Sequence, residues 1–411
     1  MSYQTGLSGL AGASRDLDVI GNNVANANTV GFKQGVARFA DMYANSVATA
    51  VNNQVGIGTR LAQVQQQFTQ GGITNTGREL DIAINGNGFF QMQSNGVLTY
   101  SRDGVFELRD GYIVNGAGQN LMGYNADASG VVNTASTVPL RVPMSNLPPK
   151  ATTAITAGLN LNAQDSLPKT TPFAKGDPSS YNYATSTVVY DSLGGSQQVD
   201  MYFVKTAAGS WDVYAGSTTG AATQIGTAKF DTSGNLVSTT DAAGNPTAKP
   251  LAFDFTVATT DGSATPQSLS LSIGGTTQYG GKTGINNLSQ DGFESGRLAT
   301  FAVDVDGTIV GMYSNGQTMA IGQVALATFN NPNGLVNLGG NQYAATNSSG
   351  VPQISAPGST NHGALQGGAL EASNVDLTSE LVHMISAQRN YQANAQTIKT
   401  QQAVDNTLIN L

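Results

Sequence analysis

Two apolar stripes of the same spacing stand at opposite ends of the chain, and their placement limits the fold more than any other feature. Near the N-terminus, Tyr3, Gly6, Leu10, Ala13, Leu17, Ile20, Val24 and Ala27 recur alternately at three and four residues, the a/d pattern of a helical seam. Gly31 follows as a helix stop. Near the C-terminus, Leu377, Leu381, Met384, Gln388, Tyr391, Ala395, Ile398, Gln402, Asp405 and Ile409 repeat the spacing. Asp376 supplies an N-cap, and neither Pro nor Gly interrupts the run from there to Leu411. A helix of that length is on the order of 50 Å at 1.5 Å per residue. The first stripe is weak on its own, because Gly9, Gly12 and Gly21 each cost about 1 kcal/mol relative to Ala. The plainer reading of either stripe is an amphipathic helix packed on its own domain. Both are narrow and weakly apolar, however, closer to a seam than to a broad core-facing surface. If the two helices pair, everything between them is a nested insertion.

The middle of the chain reads as strand. Candidates are 80–84, 89–92, 97–100, 105–108, 112–114, 187–190, 201–204, 211–214, 309–313 and 324–329. Asn95-Gly96, Asp103-Gly104, Asp110-Gly111, Asn115-Gly116, Asp306-Gly307 and Asn315-Gly316 lie between them. These dipeptides take the positive φ angles that tight hairpins need. The expected class is mainly β: nested, discontinuous sandwich or barrel domains closed by paired terminal α-helices. Residues 1–33 and 370–411 form the helical assembly domain, and 34–70 an extended connector in which Val36–Tyr43 makes a short helix or turn. Residues 71–147 and 285–369 form an inner β domain. The segment 148–284 opens on Pro148-Pro149, is rich in Thr, Ser, Ala and Gly, and is expected as an inserted outer β domain.

Composition removes most chemistry. Charged residues are 11% of the chain, under half of the roughly 25% usual in globular proteins. The net charge of −8 disfavours nucleic acid, whose phosphates need Lys and Arg. No apolar run approaches the roughly 18 residues of a membrane span, and Met1–Gly6 does not open a cleavable secretory signal. The chain holds no Cys and two His, His362 and His383, too few for a Cys- or His-based metal site. Gly72–Glu79 has P-loop glycine spacing, but Arg78 and Glu79 replace the Lys and the Ser or Thr that phosphate and magnesium require; it reads as a turn. Gly86-Asn87-Gly88 lacks the third glycine of a dinucleotide fingerprint and reads as a hairpin turn. Asp304-Val305-Asp306-Gly307 lacks the further ligands of a calcium loop. No nucleophile elbow is present. The reading is no enzyme, no cofactor and no metal.

Leu17–Lys33, with its Asn22-Asn23, Ala25-Asn26 and Gly31-Phe32-Lys33 elements, resembles the N-terminal signature of the flagellar rod and hook axial protein family. Glu371–Leu377 and Ala387–Asn394 resemble its C-terminal signature, and Gly88–Phe90 and Tyr100–Phe106 its first β domain. Phe39–Tyr43, Tyr313–Gln317 and Phe329–Pro332 are similar to the hook branch. The resemblance implies a subunit of the bacterial flagellar hook, self-assembling into a curved helical tube that transmits torque as a universal joint. It implies export through the flagellar type III apparatus without signal cleavage and an extracellular place in the flagellum. The implied partners are further copies of the chain, rod, hook cap and hook–filament junction proteins. It marks Asn22, Asn23, Asn26, Gly31, Phe32, Asn374, Gln388 and Arg389 as signature residues. Leu10, Leu17, Ile20, Val24, Leu377, Leu381, Met384, Tyr391 and Ile398 are the expected assembly seams. A distal-rod-type axial protein and a secreted β-rich, adhesin-like module are the alternatives.

Overall fold

Both stripes are helical in the computed structural model, which describes residues 2–42, 56–259 and 261–409. Helix α1 spans Ser2–Ala25 and α2 spans Leu377–Ile409. α1 is shorter than its stripe. Asn26 Nδ2 donates to the Asn22 carbonyl at 2.9 Å, the helix stops, and Ala27 lies in the turn beyond. α2 begins where Asp376 caps it, its Oδ1 accepting from the amides of Thr378 and Ser379 at 2.9 and 3.2 Å. The helices pack on each other with glycine at the closest approach. A Cβ on Gly9 would lie 2.5 Å from Asn394 Oδ1, and one on Gly6 3.1 Å from Ile398. Gly9, one of the residues that weaken α1 in isolation, is thus also one that lets α2 come near.

The stretch expected as a connector is paired strand. β1 (Gly35–Met42) and β2 (Gly58–Gln66) run antiparallel, Gly35 opposite Gln66 and Met42 opposite Gly58. Residues 36–42 are therefore strand and not a short helix or turn; Tyr43 lies outside the described residues. The packing accounts for this: Phe39 and Thr59 stand over Gly12 of α1, a contact that a bare connector would not make.

The chain divides into two units, residues 1–144 with 300–311 and 318–411, and residues 145–299 with 312–317. In the first, Ile73–Asn75 pairs with Ala369–Glu371, and Ile82–Asn85 with Ala364–Gly367. The segment leading into α2 therefore lies antiparallel to the one that follows β2. A thirteen-stranded sheet includes, in order, Thr318–Val324, Asn120–Asn125, Phe89–Ser94, Val97–Ser101, Gln342–Ala344 and Val336–Gly339. Phe89, Tyr100, Phe329 and Tyr343 form an aromatic core joined by Phe68. Phe68 meets Phe89 and Tyr343 edge-on, each at 5.3 Å. Burial pushes the Tyr343 phenol up to about 12, with Arg102 pulling the other way.

Some expected turns form and others do not. Asn95-Gly96 and Asp110-Gly111 have φ of 49° and 81°, and 52° and 80°, and join paired strands. Asp103-Gly104 makes no hairpin: the Gly104 carbonyl accepts from Ile82 N at 2.9 Å, and Asp81 bridges Val105. Gly86–Gly88 makes none either, because Ile82–Asn85 and Phe89–Ser94 pair with different strands. Asp304–Gly307 is a turn closed by Gly307 N to the Asp304 carbonyl at 2.9 Å. Within Gly72–Glu79, residues 73–75 are strand, so that segment is more than the turn expected.

The second unit holds two sheets around one core. Tyr183–Tyr190, Ser196–Ala207, Ser210–Ser217, Thr223–Phe230 and Leu236–Asp241 form an antiparallel meander. Ala252–Val257, Gln267–Ser272, Ala154–Asn160 and Gly284–Gln290 form the other sheet. Alternate residues point inward, and Met201, Phe203, Trp211, Val213, Phe253 and Leu271 are fully buried between them. The sequence-based end of the insertion at 284 falls at the start of a strand that pairs with Ala154–Asn160, and the unit continues to residue 299.

Asp291 fastens an edge of this unit. Its Oδ1 accepts from the amides of Thr153 and Ala154 at 2.8 and 2.9 Å, and its Oδ2 from Thr153 Oγ1 at 2.8 Å. Partial burial acts to raise the carboxyl, but these bonds together with Lys150 outweigh it and hold the group at about 2. A carboxylate with a depressed folded pKa stabilises above its unfolded value, near 3.9, and loses that contribution as pH falls through the folded one. Acid titration followed by Trp211 emission should show the second unit weakening between about pH 4 and pH 2, and Asp291→Asn should remove that component.

Candidate functional site

Three short segments, far apart in sequence, meet at the base of the helix pair. Lys33 follows α1, Glu371 precedes α2, and Arg102 comes from the end of the Val97–Ser101 strand. Lys33 Nζ donates to Glu371 Oε1 at 2.7 Å and Arg102 to Glu371 Oε2 at 3.2 Å. The side chains of Lys33 and Glu371 are 0% exposed and that of Arg102 3%. Glu371 Oε1 also accepts from Gly71 N at 2.9 Å, and the Glu371 carbonyl from Gly31 N at 2.9 Å. Two cations thus share one carboxylate. Burial pulls the Lys33 ammonium below the usual lysine range; Glu371 opposes this and Arg102 adds to it. The excess charge is spread over neutral acceptors: Lys33 donates to the Thr69 carbonyl at 2.8 Å, Arg102 to the Gly86 carbonyl at 2.7 Å, and the guanidinium lies 5.5 Å over the Phe89 ring, a further cation-stabilising contact.

A second network, built on side-chain amides around the Glu380 carboxylate, sits beside it. Buried Asn23 behaves as a strand backbone would, donating to the Gly35 carbonyl at 2.8 Å while Gly35 N donates to its Oδ1 at 2.9 Å. Only a side-chain amide offers both roles at that reach. Asn23 also donates to Glu380 at 3.3 Å, and Gln34 donates to the other oxygen of Glu380. Asn374 Oδ1 accepts from Gln34 N at 2.8 Å, while its amide nitrogen donates to the Gln67 carbonyl at 2.8 Å. These bonds tie α1, β1, the end of β2 and the start of α2 into one block.

Four known family models match successive stretches of the chain. Residues 4–33 match the family model described as "Flagella basal body rod protein", and 83–157 match "Flagellar hook protein FlgE/F/G D1 domain". Residues 160–293 match "Flagellar basal body protein FlaE D2 domain", and 366–411 match "Flagellar basal body rod FlgEFG protein C-terminal". The chain is 44% identical to the flagellar hook protein FlgE of Salmonella typhimurium over the whole of both. The chain belongs to the flagellar hook protein FlgE family. Its relative in Escherichia coli is 43% identical over the full length of both, and that in Treponema pallidum 33% identical over all of this chain and 99% of the other. The crystal structure of Helicobacter pylori flagellar hook protein FlgE2 shares the fold, with a TM-score of 0.53 and 14% identity, over 73% of this chain and 99% of that one.

The expected residues of this hook-family chain separate into two sets. Asn23, Gly31 and Asn374 belong to the networks above, and Asn26 and Asn22 close the end of α1. Phe32 is half-buried. Ile20 is buried, and Leu10, Leu17, Val24, Met384 and Ile398 are half-buried. Leu377, Leu381 and Tyr391 are exposed, as are Gln388 and Arg389. The face that α2 turns inward carries Glu380, Ala387 and Asn394 beside the expected Ile398. The side chain of Ile409 lies outside the described residues. Sequence reasoning missed the roles of Lys33, Arg102, Glu371 and Glu380. The available signal was their charge: in a chain this neutral, a Lys directly after Gly31-Phe32 and a Glu next to Leu370 and Ala372 are unusual.

Proposed function

We propose that the chain is the structural subunit of the bacterial flagellar hook, stacking with copies of itself into a curved helical tube that couples rod to filament and transmits torque while bending. The observation that carries this reading beyond family membership is the outward face of α2. Leu377, Leu381, Val382 and Ile385 are 45–56% exposed on a helix whose other face is already occupied by α1. Apolar surface repeated on every copy supplies many weak contacts along a polymer, and a head-to-tail contact that does not close on itself makes a helical filament. The terminal helices finish ordering as neighbours cover them. The subunit leaves the cell through the flagellar type III apparatus without signal cleavage, and meets rod, hook cap and hook–filament junction proteins at the ends of the tube. Electron microscopy of concentrated full-length protein should show tubes, and a version ending at Ala372 should show none. Tubes from the shortened chain, or a full-length chain that stays monomeric at high concentration, would defeat the reading.

A further inference from the structure

A cleft of about 220 Å³ opens where α1, β1 and α2 meet. Val19, Ile20 and Val36 give it an apolar wall, and Asp16, Glu380 and His383 a polar rim. The cleft is short of cations. Buried Glu380 is held by the uncharged Asn23 and Gln34, and among the described residues no Lys or Arg forms an ion pair with Asp16 or Glu380. Burial raises the Asp16 carboxyl; His383 opposes this and Glu380 reinforces it.

The opposite face of α2 carries the complementary features. Val382, Ile385 and Arg389 follow one another at intervals of three and four and so share one row. The row lies across the helix from Glu380 and Ala387, which are buried. Val382 and Ile385 are 56% and 53% exposed, and Arg389 is exposed with no ion pair among the described residues. Arg15, the other arginine on the terminal helices, is already paired with Asp18 at 3.7 Å.

We propose that the Val382–Ile385–Arg389 ridge of one copy seats in the α1–β1–α2 cleft of a second copy, its guanidinium entering between Asp16 and Glu380. The aliphatic pair covers Val19 and Val36, and the arginine supplies the charge that the rim lacks. Ridge and cleft are different patches of one chain, so the contact is heterologous and propagates from copy to copy. The proposal rests on the assembly reading above and specifies one of its contacts.

The test uses the full-length chain, with assembly read by sedimentation and electron microscopy. Arg389→Glu places like charges together and should raise the critical concentration for assembly about tenfold or more; Asp16→Arg should do the same. Joining the two substitutions restores opposite signs and should bring assembly back. The chain has no Cys, so Val36→Cys with Ile385→Cys gives a clean second readout. Oxidised polymer should run as a ladder of cross-linked chains, and monomer should not. If the charge-swapped double variant stays unassembled, the ladder decides. Unchanged assembly of Arg389→Glu, or an assembled cysteine variant that yields no ladder, overturns this contact and leaves the assembly reading standing. A parent chain that never polymerises overturns both.

Discussion

Glu371→Ala should lower the unfolding free energy of the first unit by about 3–5 kcal/mol, the loss expected when one partner of a buried ion pair is removed. The substitution leaves Lys33 and Arg102 buried with carbonyl acceptors alone, and strips an acceptor from Gly71 N. Glu371→Gln should be milder, because it keeps an oxygen for Gly71 while losing the charge. The chain's single Trp, Trp211, lies in the second unit and separates the readouts. Urea unfolding followed by Trp emission reports on that unit, and far-UV circular dichroism takes in the helices of the first. The helical transition should move to lower urea while the Trp transition stays in place. Coincident helical transitions for parent and Glu371→Ala would show that the carboxylate contributes nothing.

Gly104→Ala should cost about 3 kcal/mol or more, at or beyond the upper end of ordinary overpacking. A Cβ at Gly104 would overlap the Ile82 carbonyl, and Ile82 N is itself bonded to the Gly104 carbonyl. Backbone held by backbone cannot swing aside as a side-chain tip can. Ile82 is fully buried in a strand paired with Ala364–Gly367, so a shift there propagates toward the start of α2. Gly96→Ala offers the contrast: its Cβ would meet nothing within 4 Å, and only its φ of 81° opposes the change. Urea midpoints of the two variants should differ clearly, with Gly104→Ala the lower; equal midpoints would mean that the strand at Ile82 gives way more readily than its pairing implies.

These two glycines mark where local reading works and where it stops. Asn95-Gly96 turns because the dipeptide itself takes positive φ, and that preference is written in two residues. Asp103-Gly104 is a turn-forming dipeptide of the same kind, but its conformation is set by Ile82, which it must pass closely. The helices and the ten strand candidates were readable for the first reason, since periods of three to four and of two are local; strands such as β1, β2 and Ala154–Asn160 carried no such signal and were not. The inward face of α2 was not. Leu377 and Leu381 of the stripe are exposed, while Gly6 and Gly9 set an approach so close that Asn394, outside the stripe, fits there beside Ile398. The charge cluster was hidden for a related reason: Lys33, Arg102 and Glu371 each look like isolated surface charges until the strands bring them together.

Glu371 has a consequence for timing. Its bond to Lys33 spans 338 residues and that to Arg102 spans 269, so neither can form until nearly the whole chain is present. Contacts this distant in sequence form late, because loop-closure entropy must be met before they contribute. A polypeptide delivered from its N-terminus would carry α1 and Lys33 without their partners while the β units condense behind them. One carboxylate near the far end then acts as the clasp, and the moment of its arrival sets when the subunit's two ends can join.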